Sequence, residues 1–77
     1  MNVFEELQDI FKTVFDDEEL EITPEMTAQD YEDWDSLAQI QLIVETERRF
    51  GVKFTTQEMN GLQNVGDFTR LIEGKLS

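Results

Sequence analysis

The sequence contains no cysteine and no histidine. Their absence removes disulfides, thiolate nucleophiles and the two most useful zinc ligands, and leaves only carboxylates and hydroxyls for any chemical step. Bases are also scarce: six lysines and arginines face 18 aspartates and glutamates, for a formal net charge of −12. Such a field repels nucleic acid and anionic membranes, so neither is expected as a partner. No apolar run approaches the roughly 20 residues that span a bilayer, and the opening residues Met1 to Glu6 lack a basic segment followed by an apolar core. A soluble, cytoplasmic protein is expected. Proline occurs once, at Pro24, and no internal repeat or low-complexity segment is present.

What is there is one small domain, residues 1–77, which buries only about 60–65% of the surface its unfolded chain exposes. A deep enzyme cleft is not expected at this size, and with no nucleophile and base pair in view the chain reads as a non-enzyme. The charge is unevenly placed. Residues 1–35 hold 13 acids and the single base Lys12, whereas residues 36–77 hold five of each. The acidic half would steer basic protein surfaces towards the domain in a salt-dependent way.

Val3, Phe4, Leu7, Ile10, Phe11, Val14 and Phe15 recur at helical spacing, which predicts an amphipathic helix over 2–15. The run Asp16-Asp17-Glu18-Glu19 opposes the macrodipole at that helix's end and opens a solvated loop. From Leu20 to Asp35 no period survives, which gives a connection of about 16–20 residues, longer than the ordinary. A second helix is expected over Ser36–Phe50, with Ser36 as N-cap, Gln39 completing a capping box, and Gly51 as the stop. Thr55 with Glu58 marks a short third helix carrying Met59 and Leu62. A last helix begins near Asn64, with Val65, Phe68, Leu71, Ile72 and Leu76 on one stripe and Lys75 in its final turn. The expected fold is all-α: a small four-helix bundle of three longer helices and one short one, with a long loop between the first two.

The second helix carries two apolar stripes. Leu42, Ile43 and Phe50, with Thr46 between them, span an arc of about 100° and form the expected core face. Leu37, Ile40 and Val44 occupy a separate arc of about 60°, among Gln41, Glu47 and Arg48. Either the long loop folds over this second stripe, or the stripe is a docking surface rimmed by polar groups.

Asp33-Trp34-Asp35-Ser36-Leu37, running into Ile40-Gln41-Leu42-Ile43-Val44 and closing with Arg49-Phe50-Gly51, resembles the acyl carrier protein family, and the likeness covers nearly the whole chain. The resemblance implies that Ser36 receives 4'-phosphopantetheine from coenzyme A through a phosphopantetheinyl transferase, with Asp35 and Asp33 helping to present it. It implies thioester-bound cargo on the arm's thiol, and a monomer that visits acyl-transferring, condensing or ligating enzymes. Basic docking surfaces on those partners would meet Asp35, Glu47 and the acidic loop, while Leu37, Ile40 and Val44 make apolar contact. It also implies that the helices can part to shelter an acyl chain near Leu42, Ile43, Thr46 and Phe50. A phosphodiester at Ser36 would face the unpaired N–H groups of a helix start. Trp34 stands where housekeeping fatty-acid carriers usually have glycine, Ala38 and Gln41 stand where they often have acids, and Arg48 reverses another. Fatty-acid, polyketide, peptide-like and aminoacyl cargo therefore all remain open.

Two other classes are weighed against this one. Asp30, Glu32, Asp33 and Asp35 suggest a calcium module, but no glycine falls at the sixth position of the loop and the closing glutamate is missing, so no metal site is expected. An interaction module that never receives the arm would fold and bind its partner normally after Ser36→Ala.

Overall fold

The computed structural model describes residues 2–76. It contains four helices: α1 (Val3–Phe15), α2 (Ser36–Phe50), α3 (Thr56–Asn60) and α4 (Val65–Leu76). Among the described residues the extended pairing is limited to one isolated bridge, between Thr27 and Asn64.

In α1, Asn2 caps the start by accepting the N–H of Glu5, and Val3, Leu7, Ile10 and Phe11 bury one face. The expected end near Phe15 holds, and the stop is Asp16 itself. Its backbone turns left-handed at φ 50°, and the Asp17 N–H reaches back to the Lys12 carbonyl at 3.0 Å. Aspartate tolerates that region better than most residues with a Cβ.

The long connection, residues 16–35, is a packed strap. Leu20, Ile22, Met26 and Trp34 are buried in the core. Gln8 of α1 holds the strap from below: its Oε1 accepts the Ile22 N–H at 2.8 Å, and its Nε2 donates to the Leu20 carbonyl. From the other side, α4 starts against the strap. The Val65 N–H donates to the Met26 carbonyl at 3.0 Å and the Gly66 N–H to the Pro24 carbonyl at 2.8 Å, so two orphan donors of the first turn are satisfied by the loop. Glycine suits that approach, since a Cβ on residue 66 would lie 3.1 Å from the Pro24 oxygen and would push the strap away by a few tenths of an ångström. The phenol of Tyr31 donates to Asp17 at 3.0 Å, and its ring packs on Phe15.

The core joins α1 to α2 and α4 around an aromatic cluster. Phe11 meets Trp34 edge-on at 5.2 Å between ring centroids and Phe68 at 6.1 Å. On α2 the core face is the expected one: Leu42, Ile43, Thr46 and Phe50 are buried, joined by Ala38. The Thr46 hydroxyl, wholly buried, donates to the Leu42 carbonyl one turn back at 2.6 Å. Arg49 leaves α2 to clamp Glu6 and Asp9 of α1, at 2.7 and 3.2 Å. Gly51 ends α2 at φ 67°, as its position after Phe50 suggested.

The Thr55–Glu58 capping box of α3 is complete. α4 begins in a similar way: Asn64 accepts the Asp67 N–H at 2.8 Å, while the Asp67 carboxylate accepts the N–H groups of Gln63 and Asn64. Those backbone donors, above all Gln63, with Arg70 beside them, hold the Asp67 carboxyl below its ordinary pKa. A depressed native pKa stabilises the fold above the unfolded pKa, about 4 for a carboxylate, and that stability is lost as pH falls through the native value. Asp67→Asn should therefore melt lower than the native protein at neutral pH, and the gap should close as acid is added. Thermal midpoints recorded between pH 7 and pH 2 test this.

Candidate functional site

Ser36 lies at the start of α2, where the strap delivers the chain, and it is exposed. Reading Ser36 as N-cap, with Gln39 as its capping-box partner, is corrected by the structure. The N-cap is Asp35, whose Oδ1 accepts the Ala38 N–H at 2.9 Å. Gln39 is engaged elsewhere, its Oε1 accepting the indole N–H of Trp34 at 2.6 Å. Ser36 is thus the first residue inside the helix, and its hydroxyl has no hydrogen-bond partner among the described residues. Aspartate and serine are comparable N-caps, and the carboxylate takes the role here. The N–H groups of Ser36 and Leu37 precede the first intrahelical bond, which the Gln39 N–H makes to the Asp35 carbonyl.

Asp35→Ala should lower stability by about 1 kcal/mol through loss of the cap, whereas Asp35→Asn, which keeps an acceptor oxygen, should stay within a few tenths. Urea midpoints of the two variants decide this.

The second apolar stripe of α2 is left bare. Leu37 is 64% exposed, Ile40 59% and Val44 44%, so the strap does not cover them. Glu47, expected beside them, is half-buried, and its Oε2 accepts the Phe54 N–H at 2.8 Å, so one of its oxygens holds the turn after α2.

Next to Ser36 a cleft of about 580 Å³ opens between the start of α2 and α3. Trp34, Ile40, Met59 and Leu62 supply its apolar lining, with carboxamides from Gln39, Asn60 and Gln63. The residues expected to shelter an acyl chain sit elsewhere: Leu42 and Thr46 are wholly buried, with Ile43 and Phe50 nearly so. The cleft was not legible in the sequence because α3 is too short for a periodic signal and ends at Asn60, which leaves Leu62, expected on it, in the turn beyond, and because Trp34 stands among acids in a stretch without period. Among the described residues no group of three or more carboxylates is gathered to hold a metal ion.

Comparison with known proteins identifies the family. The family model for the phosphopantetheine attachment site matches residues 5–72. The acyl carrier protein of Streptococcus pyogenes is 40% identical over 75 residues, covering 97% of each chain. The meromycolate extension acyl carrier protein of Mycolicibacterium aurum is 37% identical over 67 residues, 87% of this chain and 69% of the other. The solution structure of holo acyl carrier protein from Geobacter metallireducens superposes with a TM-score of 0.91 at 41% identity, covering 99% of this chain and 87% of that one. A phosphopantetheine-bearing helical carrier is the class that fold and matches define, and the chain belongs to the acyl carrier protein family. Its function is acyl carriage on covalent 4'-phosphopantetheine in fatty-acid or related synthesis. The family is not itself catalytic; it serves phosphopantetheinyl transferases and the enzymes of synthesis. Among the described residues no helix is long and apolar enough to cross a membrane.

Proposed function

We propose that Ser36 is the residue that carries the arm, and that this chain acts as a carrier without catalysis of its own. The observation that supports this is the division of labour at the start of α2: Asp35 caps the helix and the Ser36 hydroxyl is left exposed and unbonded. A serine needed by the fold would be a poor place for a bulky phosphodiester, and this one is not needed. The site also suits the group's charge, because the free N–H groups of Ser36 and Leu37 and the positive end of the α2 dipole face any phosphate held there. The arm, when attached, supplies a terminal thiol that holds cargo as a thioester.

The chain's own residues then present that cargo. Leu37, Ile40 and Val44 form the apolar contact for enzymes with basic docking surfaces, Asp35 and the acids before it meet those bases near Ser36, and Glu47, at the far edge beside Arg48, holds the Phe54 N–H. Contact of this kind is steered by charge and made over a small area, which favours fast release. A cytoplasmic monomer is the state consistent with such exchange.

The test uses acyl-coenzyme A as donor and a phosphopantetheinyl transferase of broad specificity. The chain should gain one acyl-phosphopantetheine by intact mass, and neutral hydroxylamine should remove the acyl part alone. A gain untouched by hydroxylamine would show that the cargo is not held as a thioester.

A further inference from the structure

The two ends of the bare α2 face differ in charge. At its start stand Glu32, Asp33 and Asp35, all exposed, with no lysine or arginine between residues 13 and 47. At its end stand Arg48 and Lys53. The Arg48 side chain is 75% exposed and is held only by Glu45 at 3.3 Å, a surface pair that a partner can displace. Lys53 is exposed and has no ion pair among the described residues.

The neighbouring charges have local roles. Arg49 is clamped to Glu6 and Asp9 of α1, and Glu47, one of whose oxygens accepts the Phe54 N–H, keeps its charge beside the two cations. Between these two exposed cations lies a shallow concavity of about 390 Å³, lined by Val44, Glu47, Arg48, Gly51, Val52 and Lys53. Its apolar walls are Val44, the last member of the bare stripe, and Val52, which is half-buried. The concavity is therefore continuous with the apolar contact surface. Thirteen residues separate Asp35 from Arg48, which places the two ends about 20 Å apart along the helix.

We propose that this face is read by two opposite charges, and that the enzymes it serves present a carboxylate, beside an apolar side chain seated between Val44 and Val52, to the Arg48–Lys53 end. Cations of the same enzyme meet the Asp33–Asp35 end, next to its active-site entrance. The inference rests on the carrier reading and narrows it. An enzyme whose docking surface is basic throughout would place a cation against Arg48 and Lys53, and would be rejected by like charge.

The experiment takes the condensing enzymes of the source organism, purified singly, with the acylated carrier as substrate. The enzyme with the lowest KM for the native carrier is then assayed with variants. Arg48→Glu combined with Lys53→Glu should raise KM about tenfold and leave kcat in place, as expected when a docking charge is reversed. Arg48→Gln with Lys53→Gln should fall between. Both residues are exposed, so circular dichroism should show an unchanged fold, and intact mass should show full loading with the arm. A KM that stays the same, or falls, in the double reversal would overturn the proposal, because the partner would then read one sign along the whole helix. Glu45→Gln adds a second arm: a rise in KM there, without a rise in the double reversal, also contradicts it. Failure of the native chain to take the arm at all would instead strike the carrier reading, so the two are separable.

Discussion

Trp34→Ala is expected to lower the unfolding free energy by about 3–5 kcal/mol, the usual range for truncating a buried large aromatic. A domain of this size has on the order of 4–11 kcal/mol in total, so the variant should lose at least about a quarter of its stability and, at the lower end of that range, nearly all of it. The indole is buried against Phe11 and Phe68, two of the largest wholly buried side chains, and its N–H is satisfied by Gln39. Truncation leaves a cavity among three helices that cannot all close on it. It also loosens the strap just before Asp35, leaving there the backbone bond from the residue-34 N–H to the Tyr31 carbonyl at 3.0 Å. Trp34→Phe keeps part of the packing and strands only the Gln39 oxygen, so a loss of about 1–2 kcal/mol is expected. Denaturation followed by far-ultraviolet circular dichroism measures both, since the protein's single tryptophan is gone in each variant. Equal stability of Trp34→Ala and the native chain would mean that the aromatic cluster does not organise the core.

Trp34 also marks the boundary of what could be read from residues alone. The helices were legible because each has a buried stripe at helical period: Leu7, Ile10 and Phe11 on α1, Phe68 and Ile72 on α4. The α3 capping box was legible because Thr55 and Glu58 have no local competitor. The strap was not. Leu20, Ile22, Met26 and Trp34 are buried, but their spacing follows no period, since their partners are Gln8, the α4 N–H groups and an aromatic cluster far along the chain. Gln8 itself reads as a surface residue of α1, and only the fold shows that its amide replaces a backbone ladder for the loop.

The same limit explains the misread cap. Asp35 and Ser36 are adjacent, both are good N-caps, and Gln39 stands at the capping-box distance from Ser36. Local chemistry alone could not choose between them. The choice is made by Trp34, buried from the strap side, whose indole takes the Gln39 oxygen and leaves Asp35 to receive the Ala38 N–H. The two stripes of α2 were legible as stripes; that the second one is bare required the path of the strap.

This correction sharpens the expectation for Ser36→Ala. Were Ser36 the cap, its loss would cost about 1 kcal/mol. As the first helical residue with an unbonded hydroxyl, it should be replaceable with a change of no more than about 0.5 kcal/mol, so the variant should fold as the native chain does. Asp35→Asn should likewise fold, and if Asp35 helps to present the serine to the transferase it should be loaded more slowly than the native protein. Function and stability are then separable at this position, and a loss of loading cannot be blamed on unfolding.

The most direct measurement is intact mass of the native chain and of Ser36→Ala after incubation with coenzyme A and a phosphopantetheinyl transferase, with urea midpoints recorded on both. The expected result is one phosphopantetheine on the native chain, none on Ser36→Ala, and matching midpoints. A variant that still gains the arm, or a folded native chain that never gains it even with its own organism's transferase, would contradict the assignment of Ser36.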